Sequence, residues 1–285
     1  MVLFTSLFSK VDIDLSHDKV KNGTTLAVIL QSTHKLKQAP NIIYKNKTFQ
    51  MFTINGSTKK YELFLPIDYY TKLQKTHLQV KYIDNKIVKR KNIYFNVIDG
   101  KYKQNEIIKV AKGKVVLNKK NKKRSNIEYA KVYKHVYSVI DTKNYIPKSK
   151  FILPMNSKIT SAYGTARVYN NITKTYHTGV DFRAKVGAEI YASNDGIVSL
   201  TMKRFYLGNV IYINHGRGSY SYYSHLSKFL VKDKQVVKKG NVIAYSGKTG
   251  RITGPHLHYA FRLYNTTVDP IQYGNLYNKI INKYH

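Results

Sequence analysis

The stretch Gly254-Pro-His-Leu-His-Tyr-Ala-Phe-Arg-Leu263 alternates large apolar residues with polar or small ones. Leu257, Tyr259, Phe261 and Leu263 recur at every second position, the period of a β-strand. The same period puts His256, His258 and Ala260 on the opposite face, with neighbours there ~6.6 Å apart at ~3.3 Å rise per residue. Such a strand demands a sheet with one apolar face buried and its chemistry on the other. One of the two histidines can hold a metal ion while the other faces water or substrate.

A second stretch, His177-Thr-Gly-Val-Asp181, completes the thought. As a flat strand it would span ~13 Å, too far for both ends to meet one ion. Gly179 between them is where a bend or a close backbone approach is easiest. Two imidazole nitrogens and a carboxylate oxygen suit borderline Zn²⁺, and three protein ligands leave a fourth position open. That is the pattern of a catalytic site. The chain has no Cys, so thiolate ligands and disulfides are excluded and any zinc must rest on His and carboxylates.

His-x3-Asp followed at a distance by Gly-Pro-His-Leu-His resembles the lysostaphin/LytM-type zinc endopeptidases, which cut peptide cross-links of bacterial peptidoglycan. The resemblance runs from about Ile159 to Asp269. It includes Val186–Val198, Gly208–Gly216, Tyr223-Ser-His-Leu-Ser227, Lys239-Gly240 and Gly247-Lys-Thr-Gly250. It implies an antiparallel β peptidase domain with one Zn²⁺ on His177, Asp181 and His258, and proton transfer by His225 and His256. A histidine of ordinary pKa near 6.5 suits that work, and the His-Glu-x-x-His motif of other zinc proteases is absent. Arg167, Tyr169 and Tyr223 are candidates for binding substrate. His215, in a glycine-rich turn, is expected to bond backbone and hold a hairpin.

The remaining chain is read from pattern. At 285 residues with 42% hydrophobic and 13% aromatic content, there is room for two domains with real cores. The expected architecture is mainly β: an immunoglobulin-like sandwich over residues 1–98, a basic connector with one amphipathic helix over 99–150, and the peptidase domain over 151–285. Seven strand candidates fill the first part: Val11–Leu15, Thr25–Leu30, Asn41–Tyr44, Phe49–Ile54, Tyr61–Leu65, Leu78–Ile83 and Asn92–Val97. Asn22-Gly23 and Asn55-Gly56 supply turns. In the connector, Lys119–Arg124 reads as a solvated loop, and Ser125-Asn-Ile-Glu128 as a capping box opening a helix. Tyr129, Val132, Tyr133, Val136, Tyr137 and Ile140 form its apolar stripe. Tyr145 to Pro154 reads as a linker. After it the pattern is of strands, with no helix of ordinary length.

The net charge of +34 rests on 49 basic residues, only 8 of them Arg. An AT-rich codon bias explains the Lys together with abundant Asn, Ile and Tyr, and attraction to an acidic polymer is compatible with it. Sequence-reading DNA binders favour Arg forks on guanine, so a nucleic-acid partner is not expected, and that reading leaves the histidines unexplained. No run of ~18 apolar residues marks a membrane span. Met1 to Phe8 is apolar and could be the remnant of a signal peptide.

The expected function is a D,D-endopeptidase, with D,D-carboxypeptidase activity as an addition, working as a monomer in the periplasm or at the cell wall. A glycine-bridge endopeptidase is the neighbouring alternative, less favoured because the N-terminal part does not resemble a wall-binding domain of that branch. A silent activator or binding module is the other, at odds with a full set of ligands and proton-transfer histidines.

Overall fold

A computed structural model describes residues 11–84, 86–140 and 149–285. Met1 to Phe8 and residues 145–148 of the linker lie outside them. Among the described residues, no helix is long and apolar enough to cross a membrane.

The N-terminal part consists of two facing sheets. One orders Val11–Leu15, Thr25–Ser32, Lys60–Pro66 and Phe52–Thr53; the other orders Lys19–Lys21, Ile87–Ile98, Lys75–Asp84, Asn41–Tyr44 and Lys47–Gln50. Alternating residues from both, among them Leu26, Val28, Ile42, Leu63, Val80 and Phe95, meet in one core. The stretch expected as a single strand over Phe49–Ile54 is divided between the sheets. Met51 lies between the two pieces, fully buried, its N–H donating to the Pro40 carbonyl. Lys19–Lys21 was too short for its period to register, and it pairs in parallel with the end of Ile87–Ile98.

The connector departs from expectation twice. Glu106–Ile108 is a strand, paired in parallel with Ala166–Tyr169 of the C-terminal part. Helix α1, Lys119–Val132, starts six residues before the expected capping box. Asn118 caps it by accepting from the Asn121 N–H, so the basic run is the solvated face of a helix and not a loop. Its apolar stripe is also narrower than expected. Val132 and Val136 are buried against Leu200, Val210, Tyr212 and Ala260, while Tyr129, Tyr133 and Ile140 stay exposed.

The C-terminal part is built on an eight-stranded sheet. Its order runs Ile159–Ser161, Val180–Arg183, His256–Leu263, Ser219–Leu226, Gly208–Asn214, Gly196–Arg204 and Val236–Val237, with Thr266–Val268 also on the His256 strand. The long central pairings are antiparallel. Contrary to the strands-only expectation, the chain closes in a 15-residue helix, α2, Pro270–Tyr284. Asp269 accepts from the Ile271 and Gln272 N–H groups, and Pro270 needs no donor at the first turn. Tyr273, Leu276, Tyr277 and Ile280 then recur at helical spacing and are buried.

Helix α2 joins the two parts. Leu276 and Ile280 pack on Ala27, Ile29 and Ile54 of the N-terminal part, while Tyr273 and Tyr277 pack on Phe151, Phe261 and Leu263 of the C-terminal part. Nearby, Tyr69 stacks on Tyr176 with ring centroids 3.9 Å apart, and Arg217 pairs with buried Glu62 at 2.7 Å.

Candidate active site

The two motifs converge because their strands are neighbours. Asp181 stands directly opposite His258 in the pairing of Val180–Arg183 with His256–Leu263, so both side chains share a face. His177 reaches the same point from the preceding turn, which Gly179 presses against the histidine strand. A Cβ on Gly179 would lie 2.4 Å from the Tyr259 carbonyl oxygen and 2.9 Å from the His258 ring. No other residue type lets the backbone approach so closely.

The result is a triangle of donor atoms. His177 Nε2, His258 Nδ1 and Asp181 Oδ1 lie 2.9 Å from one another along all three edges. His177 Nδ1 is 2.9 Å from the Ala162 carbonyl oxygen, which can only accept, so a neutral His177 turns a lone pair inward from Nε2. His258 Nδ1 can donate to one of its two neighbours and not to both. Proton sharing therefore leaves lone pairs facing each other in a buried site, and His258 Nε2 has no hydrogen-bond partner. A cation resolves the conflict. Two imidazole nitrogens and one carboxylate oxygen converging on one buried point are the donors zinc takes, and the set fits the ion.

The protonation states agree. Burial pushes His258 down to about 4, keeping it neutral. Burial would raise the Asp181 carboxyl, but its contacts with the His177 and His258 imidazoles outweigh burial and hold the group well below the usual carboxylate range.

His256 and His225 flank the triangle. His256 Nδ1 donates to the Gly254 carbonyl at 2.8 Å, and its Nε2 lies 3.7 Å from Asp181 Oδ1. His225 would fall by strand parity on the core side with Tyr223. Its backbone instead takes φ +65, a strained conformation for a non-glycine residue that recurs at functional sites. Its ring centroid comes to 4.8 Å from that of His256 and 6.0 Å from that of His258. Its Nδ1 donates to the Thr249 carbonyl at 2.7 Å, leaving Nε2 as acceptor. Burial, reinforced by the neighbouring histidines, pushes His225 down to about 3.

A cleft of about 210 Å³ opens over these residues, walled in part by Ile108, Tyr169, Tyr206 and Arg251. The other candidates divide. Tyr169 lines the cleft. Arg167 lines it too, but donates from Nη2 to Asp181 Oδ2 at 2.6 Å and to Ser161 Oγ at 2.8 Å, and from Nε to Glu106 Oε2 at 2.7 Å. Tyr223 is fully buried, its hydroxyl bonded to Ser193 and Ser221, and it is not among the residues that line this cleft. Glu106 and Arg251 escaped sequence reasoning; the one signal for Glu106 was an isolated acid amid the lysines of the connector.

Residues 175–270 match the family model described as Peptidase family M23. Over that stretch the chain is similar to the M23 peptidases. A stretch of 110 residues is 44% identical to peptidoglycan DD-endopeptidase ShyA of Vibrio cholerae, covering 37% of this chain and 25% of that protein. Another of 115 residues is 36% identical to the DD-carboxypeptidase/endopeptidase Mpg of Neisseria meningitidis, covering 40% of this chain and 26% of that one. The matched M23 region thus spans about a quarter of the length of these relatives. Beyond the M23 domain, the fold is similar to a crystal structure from Pseudomonas aeruginosa described as a peptidase M23, with a TM-score of 0.63 and 23% identity. That likeness covers 88% of this chain and 93% of the other.

Proposed function

We propose that the protein is a zinc-dependent peptidoglycan D,D-endopeptidase, with D,D-carboxypeptidase activity at the same site. The observation that carries this is the 2.9 Å triangle of His177, Asp181 and His258 in an open cleft, with His256 Nε2 beside it. The activities for which ShyA and Mpg are named support the class of bond.

His177, Asp181 and His258 would hold the ion. Zinc with three protein ligands supplies Lewis acidity toward a peptide carbonyl and toward water. The chain's own residues do the rest. His256, fixed by the Gly254 carbonyl, takes the proton of the attacking water at Nε2. His225, fixed by the Thr249 carbonyl, receives at Nε2 the second proton of that water as the adduct collapses to a carboxylate, and passes it to the leaving amine, while His256 returns the first. The C–N bond breaks as the C–O bond forms, leaving a carboxylate and an amine. Arg167 holds the second oxygen of Asp181, so that one oxygen faces the triangle.

We read the N-terminal part as immunoglobulin-like, because its first strand pairs into one sheet while the short second strand runs parallel to the last strand of the other. Its service is to position the peptidase domain in or near the wall, with the protein acting as an exported monomer at the periplasm or cell wall. Peptidoglycan peptides are the partner, not nucleic acid.

The test is mass spectrometry of muropeptides from purified wall after digestion, with and without a chelator. Cleavage between D-Ala and the cross-linked residue, abolished by chelator and restored by zinc, is expected. Intact cross-links in every zinc-loaded digest overturn the reading.

A further inference from the structure

The cleft holds a second arginine in a different state from Arg167. Arg251 Cζ lies 3.9 Å from the ring centroid of Tyr169 and 4.5 Å from that of Tyr206. Among the described residues, no hydrogen-bond or ion-pair partner engages its guanidinium. Arg124, Arg204, Arg217 and Arg262 are each bonded to a side chain nearby, and Arg167 to two carboxylates. A guanidinium packed on aromatic rings keeps its N–H edge for a planar anion, and a carboxylate accepts two of those N–H groups at once.

The backbone that carries Arg251 is fixed. Gly250 adopts φ +89, and a Cβ there would lie 2.4 Å from the Gly208 N and 2.5 Å from the Tyr206 carbonyl oxygen. Arg251 N–H donates to that Tyr206 carbonyl at 2.8 Å. Two residues earlier, Thr249 accepts from His225 Nδ1 through its carbonyl and from the Asn209 N–H through its hydroxyl. One tight loop thus orients His225 and presents Arg251 on the wall of the same cleft.

We propose that Arg251 is a substrate subsite for a free carboxylate on a stem peptide. The inference rests on the peptidoglycan reading above and deepens it. Peptide stems bear carboxylates on their D-glutamate, on diaminopimelate and at a terminal D-Ala. An arginine on a fixed wall selects stems that keep the acid over stems in which it is amidated. The cation-rich composition draws acidic polymer generally; Arg251 would discriminate at the cleft.

The experiment uses the whole zinc-loaded protein and a set of purified cross-linked muropeptides, each amidated at one of the three carboxylates. Rates are measured for wild type, Arg251→Gln and Arg251→Lys. Affinity of the metal-free wild type for the same uncleaved muropeptides is measured in parallel. Amidation at one position is expected to raise KM and weaken binding by roughly tenfold or more, the range of a charge-assisted hydrogen-bond pair. Arg251→Gln should lose that preference with kcat little changed, and Arg251→Lys should recover part of it. The position that matters identifies the carboxylate. Equal handling of acid and amides by wild type, in both KM and affinity, overturns the inference, as does a preference that survives in a zinc-loaded Arg251→Gln. Should Arg251→Gln fail to load zinc, the wild-type series still decides. Selective binding of the acid without any hydrolysis would overturn the proposed function and leave the subsite standing.

Discussion

Arg167 donates to the oxygen of Asp181 that the donor triangle does not use, at 2.6 Å, while Glu106 accepts from the same guanidinium. Partners of this kind fix a ligand's orientation, and their loss typically costs ~10–100-fold in metal affinity. Glu106 lies outside the M23 match and belongs to a strand of the connector. The site is therefore completed from beyond its own family stretch. Arg167→Ala is expected to weaken zinc binding by roughly 10–100-fold, read by chelator competition, with Glu106→Gln smaller and in the same direction. Unchanged affinity in Arg167→Ala removes its orienting role.

His256 and His258 stand two residues apart on one face and should fail differently. Asp181→Ala and His258→Ala remove donors and should lose zinc along with activity. His256→Ala and His225→Ala should keep zinc and lose about 10²–10⁴-fold in turnover. Groups that act as a unit are not additive, so the double variant should be little worse than its poorer parent. Zinc content beside initial rate decides; loss of zinc in His256→Ala with retention in His258→Ala would reverse the assignment.

Gly179→Ala tests the convergence itself. The new methyl would meet the Tyr259 carbonyl at 2.4 Å, so the turn must withdraw from the histidine strand and carry His177 with it. Zinc affinity should drop while the N-terminal core, a separate cluster of residues, keeps its hydrogen-exchange protection. Normal zinc affinity in Gly179→Ala would sink the account.

Most of this site was legible before the fold was known, because its parts are short local patterns. Two histidines at strand period, a glycine between ligands and a Gly-Pro lead-in each carry meaning within ten residues. What was hidden depends on pairing across the chain. Glu106 reaches Arg167 only because a three-residue strand joins the edge of the C-terminal part, and three residues cannot show a period. Tyr223 was a substrate-binding candidate without a pattern to place it, and the strained backbone at His225 sends that ring, but not the Tyr223 ring, toward the cleft. Helix α2 had its signals in Asp269-Pro270 and in the spacing of its buried residues. Its run of Tyr, Asn and Lys is not apolar enough on average to stand out, since it is buried along one stripe between the N- and C-terminal parts.

The N-terminal part and the connector should not be dispensable. A fragment beginning at residue 149 loses Glu106, and it bares Leu276 and Ile280 of α2, which are covered by Ala27, Ile29 and Ile54. Exposed apolar surface of that kind favours aggregation. The fragment is expected to melt at lower temperature and bind zinc more weakly than the whole chain. A fragment that equals the whole chain in both would show that the peptidase domain stands alone.

His215 offers a test by pH. It is fully buried, with Nδ1 donating to the Asp195 carbonyl at 2.7 Å and Nε2 accepting from Ser221 Oγ at 2.8 Å. Its ring lies nearly parallel to that of Phe261. Burial, only partly offset by the Asp195 contact, pushes its pKa down to about 4. The unfolded chain takes this proton near pH 6.5 and the folded chain only near 4, so protonation favours unfolding between those values. The contribution is complete above about pH 6.5 and declines on acidification by about 1.4 kcal/mol per pH unit, levelling off below about 4. His215→Gln cannot titrate. It should be less stable than wild type at pH 7, yet its stability should fall less steeply between pH 6 and 4.5, by about that amount per unit. Urea denaturation of the two metal-free proteins at several pH values reads the difference, and parallel slopes would show that His215 does not carry it.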